Sequence, residues 1–293
     1  MKGITGNETV GVLLTQANRQ LASAGIPSPA DEARLLMAEV LAVSRAWVIA
    51  HPEALLPSDR RLLFLSYVNR RANHEPEAYL VGYREFYGLN FEVNPAVLIP
   101  RPETELLVDR ALEAATRLLT AKGRDLVSVD LGTGSGAVAV VLAMREPRLH
   151  VIAVDRSPAP LAVAKANALL HGVADRIRFH EGDLLQGMSE RIDLLVANLP
   201  YIPSGEIDRL MPDVRDYEPR EALDGGPDGT LLIQRALAEA VDRMEPPASL
   251  LFEIGDGQGR QLSEAAGGFY PDATIQILKD YAGFERILSV EME

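Results

Sequence analysis

The 293-residue chain is 47% hydrophobic and carries 29 Lys/Arg against 42 Asp/Glu, a net charge of −13 that disfavours binding along a phosphate backbone. It has no cysteine, which excludes disulfides and thiolate metal sites, and it shows neither an N-terminal apolar leader nor an uninterrupted apolar run of ~18 residues. A soluble, cytoplasmic protein without a membrane partner is expected, with two domains for this length.

Residues 1–78 read as a helical bundle. Val10, Leu13, Leu14, Ala17 and Leu21 recur at helical spacing before Gly25 stops the helix. In Ser28-Pro29-Ala30-Asp31, Ser28 is placed to cap, Pro29 suits the first helical position and Asp31 completes a capping box. Ala33, Leu36, Met37, Val40 and Leu41 then line one face, and another helix is expected from Ser58 to about Asn73. Trp47 and His51 read as packing or surface residues. A local basic patch such as Arg60, Arg61, Arg70 and Arg71 could still touch RNA. A bundle without visible chemistry suits recognition of a partner.

Residues 79–100 change to aromatics and glycines. Phe86, Tyr87, Phe91 and Val93 flank Gly88-Leu89-Asn90, predicting a β-hairpin that bridges the two domains.

Residues 101–293 alternate strand and helix. The runs at 126–131, 150–155, 177–183, 192–198 and 249–255 are short, apolar and rich in β-branched residues, the signature of an α/β, doubly wound parallel sheet. Ligands bind such sheets beyond the carboxyl ends of the strands, where the strand order reverses.

The first strand of this domain runs into Gly132-Thr133-Gly134-Ser135-Gly136 and then a helix, a turn whose glycines let a ligand approach the backbone. Asp155 ends the next strand, nineteen residues past Gly136, where a carboxylate accepts from two ribose hydroxyls. The spacing is Gly-Thr-Gly-Ser-Gly rather than the dinucleotide pattern, so S-adenosylmethionine fits better than NAD. Asp183 is placed for the adenine amino group, or alternatively as a helix cap, with Leu184 beside the ring.

The fourth strand ends in Asn198-Leu199-Pro200-Tyr201. A planar amide or aromatic amine has a delocalised lone pair, so methyl transfer to it depends on geometry. The Asn198 side-chain oxygen and a main-chain carbonyl, freed because Pro200 removes a donor, can each accept one N–H of an NH₂ group, and Tyr201 can stack on it. Asn198, Pro200 and Tyr201 are thus the candidate catalytic residues; Leu199 contributes mainly its backbone. No metal-ligand spacing is present.

Together with this motif, LIPRPETELLV at 98–108 and YEPREALDGGPDG at 217–229 resemble the HemK family, the peptide chain release factor N5-glutamine methyltransferases, over nearly the whole chain. The resemblance implies a class I S-adenosylmethionine-dependent methyltransferase with a Rossmann-like sheet and an N-terminal bundle that grips a release factor, acting as a monomer without direct nucleic-acid contact. Its substrate would be the glutamine of the Gly-Gly-Gln motif, and its product S-adenosylhomocysteine. Gly132 to Gly136, Asp155, Leu184 and Asn198 would contact the cofactor, and Asn198 through Tyr201 would hold the glutamine. Arg101 and Glu103 would open a helix covering the cofactor. Leu199 stands where that family usually has proline, a spelling similar to enzymes that methylate the exocyclic amino groups of RNA or DNA bases, the alternative acceptor.

Overall fold

The structure, a computed structural model, describes residues 8–293; the first seven residues of the expected bundle lie outside the described residues. The chain forms two compact units, one holding the described residues up to Gly82 together with Met211–Tyr217, the other Tyr83–Leu210 with Glu218–Glu293.

The first unit contains α1 (Val10–Ser23), α2 (Pro29–Leu41), α3 (Arg45–Ala50), α4 (Ser58–Ala72) and α5 (Glu77–Val81). Val10, Leu13, Ala17 and Leu21 of α1 pack with Leu36, Met37, Phe64 and Val68 in one apolar core. Thr9 caps α1 by accepting from the Val12 N–H, and Gly25 ends it at φ +74°. Ser28 does not cap α2: its backbone is left-handed, φ 49°, whereas capping requires an extended residue, and Asp31 pairs with Arg34 at 2.7 Å instead. The basic patch is neutralised locally, because Arg61 meets Glu8 at 2.5 Å, Arg70 meets Glu75 at 2.5 Å and Arg71 meets Glu32 at 2.8 Å. Trp47 and His51 stack with centroids 4.4 Å apart.

The second unit starts with the hairpin, β1 (Tyr83–Phe86) and β2 (Leu89–Glu92). Phe86 and Phe91 anchor it in the core beneath the sheet. The turn is Tyr87-Gly88, one residue earlier than the glycine-centred reading placed it, with both residues at positive φ. Tyr87 tolerates φ 55° because Glu105 accepts from its N–H at 2.8 Å and Asp109 from its hydroxyl at 2.7 Å.

Then follow α6 (Thr104–Lys122), β3 (Leu126–Leu131), α7 (Ala137–Arg145), β4 (Leu149–Asp155), α8 (Pro158–Leu170), β5 (Ile177–Glu181) and β6 (Ile192–Ala197). After α9 (Pro212–Arg215), which belongs to the first unit, come α10 (Leu231–Ala240), β7 (Met244–Glu253), α11 (Gly259–Phe269), β8 (Thr274–Lys279) and β9 (Glu285–Met292). The sheet order is β5-β4-β3-β6-β7-β9-β8. Five strands are parallel as expected, but β9 inserts antiparallel between β7 and β8, so the sheet is mixed. The short turn after β8 dictates this, because a hairpin can return only antiparallel. Helices α6, α7 and α8 cover one face, and α10 and α11 the other. The strand order reverses between β3 and β6, and the ends of those strands meet one cleft. No helix among the described residues is long and apolar enough to cross a membrane.

Candidate active site

A cleft opens beyond the carboxyl ends of β3, β4 and β6, with a cavity volume of about 150 Å³. Its floor is the glycine turn, where Gly132, Gly134 and Gly136 all have positive φ, conformations that a Cβ would strain. Asp155 closes the turn from β4, accepting from the Gly134 N–H at 3.1 Å through Oδ2 and from the Ser157 N–H at 3.1 Å through Oδ1. Burial raises its carboxyl above the usual range, against those two hydrogen bonds. Beneath it, Asp130 accepts from the Thr133 hydroxyl at 2.7 Å and the Ala139 N–H at 3.2 Å.

Asp183 and Leu184 form another wall. Asp183 lies in a turn, not at a helix start, and its Oδ2 takes a hydrogen bond from Arg235 at 2.8 Å. Leu184 holds φ 54°, a strained conformation for a branched side chain, with its side chain buried in the core on the α10 face.

Asn198 rises from the tip of β6. Its Nδ2 donates to Thr104 Oγ1 at 3.0 Å, and no group among the described residues donates to its Oδ1. The carbonyls of Leu199 and Pro200 likewise accept no hydrogen bond. The Leu199 side chain is 4% exposed and packs over the glycine turn, its Cδ2 lying 3.1 Å from where a Cβ on Gly132 would stand. Position 199 therefore contributes packing as well as backbone.

The two signature segments flanking this loop turn out to be its supports. Ile202 exchanges backbone hydrogen bonds with Leu223 and Gly225 at 3.1 and 2.9 Å, and Gln258 Nε2 donates to the Tyr201 carbonyl at 2.8 Å. A Cβ on Gly225 would lie 2.6 Å from the Pro200 oxygen, and one on Gly229 would lie 2.2 Å from the Tyr201 oxygen, so both positions require glycine. The other segment joins through an ion pair between Arg101 and the buried Glu218, whose second oxygen accepts from the Ile99 N–H at 3.0 Å.

Residues 12–82 match the PrmC N-terminal domain and residues 103–211 the Methyltransferase small domain. A release factor glutamine methyltransferase of Nitratidesulfovibrio vulgaris is 38% identical over 290 residues, 97% of this chain and 95% of the relative. The one of Moorella thermoacetica is 40% identical over 279 residues, 95% of this chain and 96% of the relative. The chain belongs to the release factor glutamine methyltransferase family. The fold is also that of the hMettl16 catalytic domain, solved with a MAT2A 3'UTR hairpin, at a TM-score of 0.55 and 13% identity over 82% of this chain and 84% of that one.

In this methyltransferase Gly132, Thr133, Gly134, Ser135, Asp155, Asp183, Leu184, Asn198, Leu199 and Pro200 all line the cleft. Gly136 does not: it is the contact between α7 and α8, where a Cβ would stand 2.9 Å from that of Ala164. Tyr201 is not in the lining either. Its hydroxyl donates to Glu253 Oε1 at 3.2 Å and its ring lies against Gly255, because the buried carboxyl of Glu253 needs donors. Thr104, Asn167, Glu218 and Glu253 were not legible as site residues. Asn167, fully buried, donates to the carbonyls of Ser135 at 2.8 Å and Glu92 at 3.0 Å, tying the glycine turn to the hairpin. Its only signal is an asparagine on the apolar face of α8.

Burial pushes Asp130 up to about 6, against its hydrogen bonds from Thr133 and Ala139 and with a further push from Asp155. A carboxyl raised in the folded state holds its proton there longer than in the unfolded chain, so its contribution to stability falls as pH rises from about 4 to about 6. The unfolding free energy of Asp130→Asn minus that of the wild type is therefore expected to increase across this window, with a limiting slope of ~1.4 kcal/mol per pH unit, and to level off above it. Denaturant titrations of both proteins from pH 4 to 8 check this; a pH-independent difference would refute it.

Proposed function

We propose that this protein transfers the methyl group of S-adenosylmethionine to the side-chain amide nitrogen, N5, of the glutamine in the Gly-Gly-Gln motif of bacterial class I release factors. The observation that carries the reading is the pair of unused acceptors at the strand tip, Asn198 Oδ1 and the adjoining main-chain carbonyls, set beside a glycine-floored cleft.

The cleft suits this cofactor by the chemistry of its lining. Four carboxylates, Asp130, Asp155, Asp183 and Glu221, face it against two arginines, and each arginine is paired, Arg101 with Glu218 and Arg156 with Glu221. Such a lining repels a diphosphate and favours a cationic sulfonium with neutral hydroxyls. Asp155 would bind the ribose, Asp183 and Leu184 the adenine, and Gly132 to Ser135 would present backbone to the remainder. When bound, S-adenosylmethionine supplies an electrophilic methyl; the N–C bond forms as the S–C bond breaks, leaving S-adenosylhomocysteine, and the amide proton passes to water.

The residues of the chain supply orientation and electrostatics. Accepting both N–H groups of the glutamine amide, Asn198 Oδ1 and a carbonyl of Leu199 or Pro200 hold the nitrogen and favour positive charge developing on it. No histidine lines the cleft, and none is required, since the proton leaves after transfer. The helical unit, which exposes Ile49, Leu55 and Leu62, would grip the release factor.

Intact-mass analysis of a release factor incubated with the protein and S-adenosylmethionine, followed by peptide mapping, tests the reading. One added methyl on the Gly-Gly-Gln glutamine is expected. Label from the cofactor on RNA, with none on the release factor, would assign it to base methylation instead. Asp155→Ala is expected to weaken S-adenosylmethionine binding about tenfold to hundredfold, the loss of one or two charge-assisted hydrogen bonds, as read by titration calorimetry; unchanged affinity would remove Asp155 from the cofactor site.

A further inference from the structure

Tyr201 does not line the cleft, and its polar groups are held by one neighbouring segment. Its hydroxyl meets Glu253 Oε1 at 3.2 Å, its carbonyl accepts from Gln258 Nε2 at 2.8 Å, and its ring packs on the core of the α10 face beside Gly255. These partners lie in residues 253–258, at and just beyond the end of β7, the strand next to β6. That segment is itself tied, because Gln258 Oε1 accepts from the Gly255 N–H at 2.8 Å.

Glu253 is 1% exposed and its Oε2 meets no partner, so this buried carboxyl resists giving up the phenol. Burial raises the carboxyl, and the contact survives in either state: ionised, it accepts from the phenol; protonated, it can donate to the phenol oxygen. The seat does not depend on which group holds the proton.

The two ends of Asn198-Leu199-Pro200-Tyr201 are thus fixed in different ways. Asn198 follows directly on β6, whereas Tyr201 is pinned to the end of β7, and the free carbonyls of Leu199 and Pro200 lie between. Only three planar peptide units separate these ends, and the ring of Pro200 locks its φ, so little slack remains. A shift at Tyr201 is passed to those carbonyls, and about 1 Å at a group that orients the reacting nitrogen costs on the order of a hundredfold. A ring that stacked on the acceptor would instead need an open face in the cleft, which Tyr201 lacks.

We infer that Tyr201 and Glu253 are positioning residues: the phenol hydroxyl, seated on the buried carboxyl, sets the main-chain carbonyls of the loop against the acceptor amide, and the ring does not stack on the substrate. The inference rests on the methyl-transfer reading above, while the seat itself belongs to the free protein.

Tyr201→Phe separates the two roles, since it keeps the ring and removes the hydroxyl. It is expected to lower kcat on a release factor about tenfold to hundredfold, with the dissociation constant for S-adenosylmethionine within about twofold of wild type. Glu253→Gln keeps an acceptor oxygen for the phenol and should stay within about threefold of wild-type kcat. Combined with Tyr201→Phe it should add little further loss, because both changes act on one hydrogen bond. Backbone hydrogen exchange, read by mass spectrometry on peptides spanning 198–204, should be at least about tenfold faster in Tyr201→Phe and near wild type in Glu253→Gln. Wild-type kcat in Tyr201→Phe would overturn the inference, as would losses that multiply in the double variant, an equal fall in cofactor affinity, or unchanged exchange. Should Tyr201→Phe fail to fold, Glu253→Met, which removes the carboxyl and keeps its volume, is expected to show the same split and decides in its place against Glu253→Gln. A wild-type protein that leaves the release factor unmethylated refutes the substrate reading alone, because the exchange rates still report the seat.

Discussion

Asn198→Ala is expected to lower turnover by two to three orders of magnitude while leaving the dissociation constant for S-adenosylmethionine within about tenfold. On the proposed reading the side chain supplies one of two acceptors for the glutamine NH₂, and this acceptor would gain strength as positive charge develops on nitrogen. A contact that strengthens toward the transition state is lost from kcat rather than from ground-state binding. Asn198 lies at a strand tip held by β3 and β7 on either side of β6, so truncation leaves the backbone in place. Its half-buried position means that the change opens no core cavity. Single-turnover kinetics with saturating cofactor, beside calorimetric binding, separates the two quantities. Turnover within a few fold of wild type would remove Asn198 from the reaction.

Gly229→Ala is expected to cost at least about a hundredfold in turnover although residue 229 has no side chain to touch a substrate. The added Cβ would stand 2.2 Å from the Tyr201 oxygen and 2.5 Å from Gln258 Nε2, the two atoms whose hydrogen bond anchors the Asn-Leu-Pro-Tyr loop. Neither can yield without moving the other, so the loop must shift, and a displacement of about 1 Å at a reacting group is enough for a loss of this size. The φ of +77° adds roughly 1–2 kcal/mol of strain for any residue with a Cβ. Gly283→Ala separates these effects: its φ is +90° but nothing lies within 4 Å, so it should lower the thermal midpoint and leave turnover unchanged. If the Gly229 variant works like wild type, the support assigned to the Gly-Gly-Pro-Asp-Gly segment is mistaken.

The parts of the site legible in the sequence are those a short stretch specifies alone. Three glycines between an apolar strand and a helix mark a turn with positive φ, and Gly132, Gly134 and Gly136 all adopt it. Asp155 could be placed by counting to the end of the next strand, and it closes that turn. Asn198, at the end of an apolar run before Pro200, could be placed at a strand tip facing the same cleft. Less was legible where the environment decides. Tyr201 has the composition of a stacking platform, yet the carboxyl of Glu253 draws its hydroxyl beneath the loop. The hairpin's aromatics do not say where they pack, and Phe86 and Phe91 bury in the sheet unit's core.

The sequence by itself therefore determined the local conformations, the alternation that builds a parallel sheet, and, through segments shared with relatives, the family. Only the tertiary structure decided which of those segments touch. Thr104 reaches Asn198 across 94 positions of chain, and Glu253 lies at the end of a strand that neighbours β6 only through the sheet order. A hydrogen bond between distant residues leaves no periodicity or spacing in either segment, because its direction and partner are set by how strands and helices stack. That stacking is what brings a threonine of α6 onto a strand-tip asparagine.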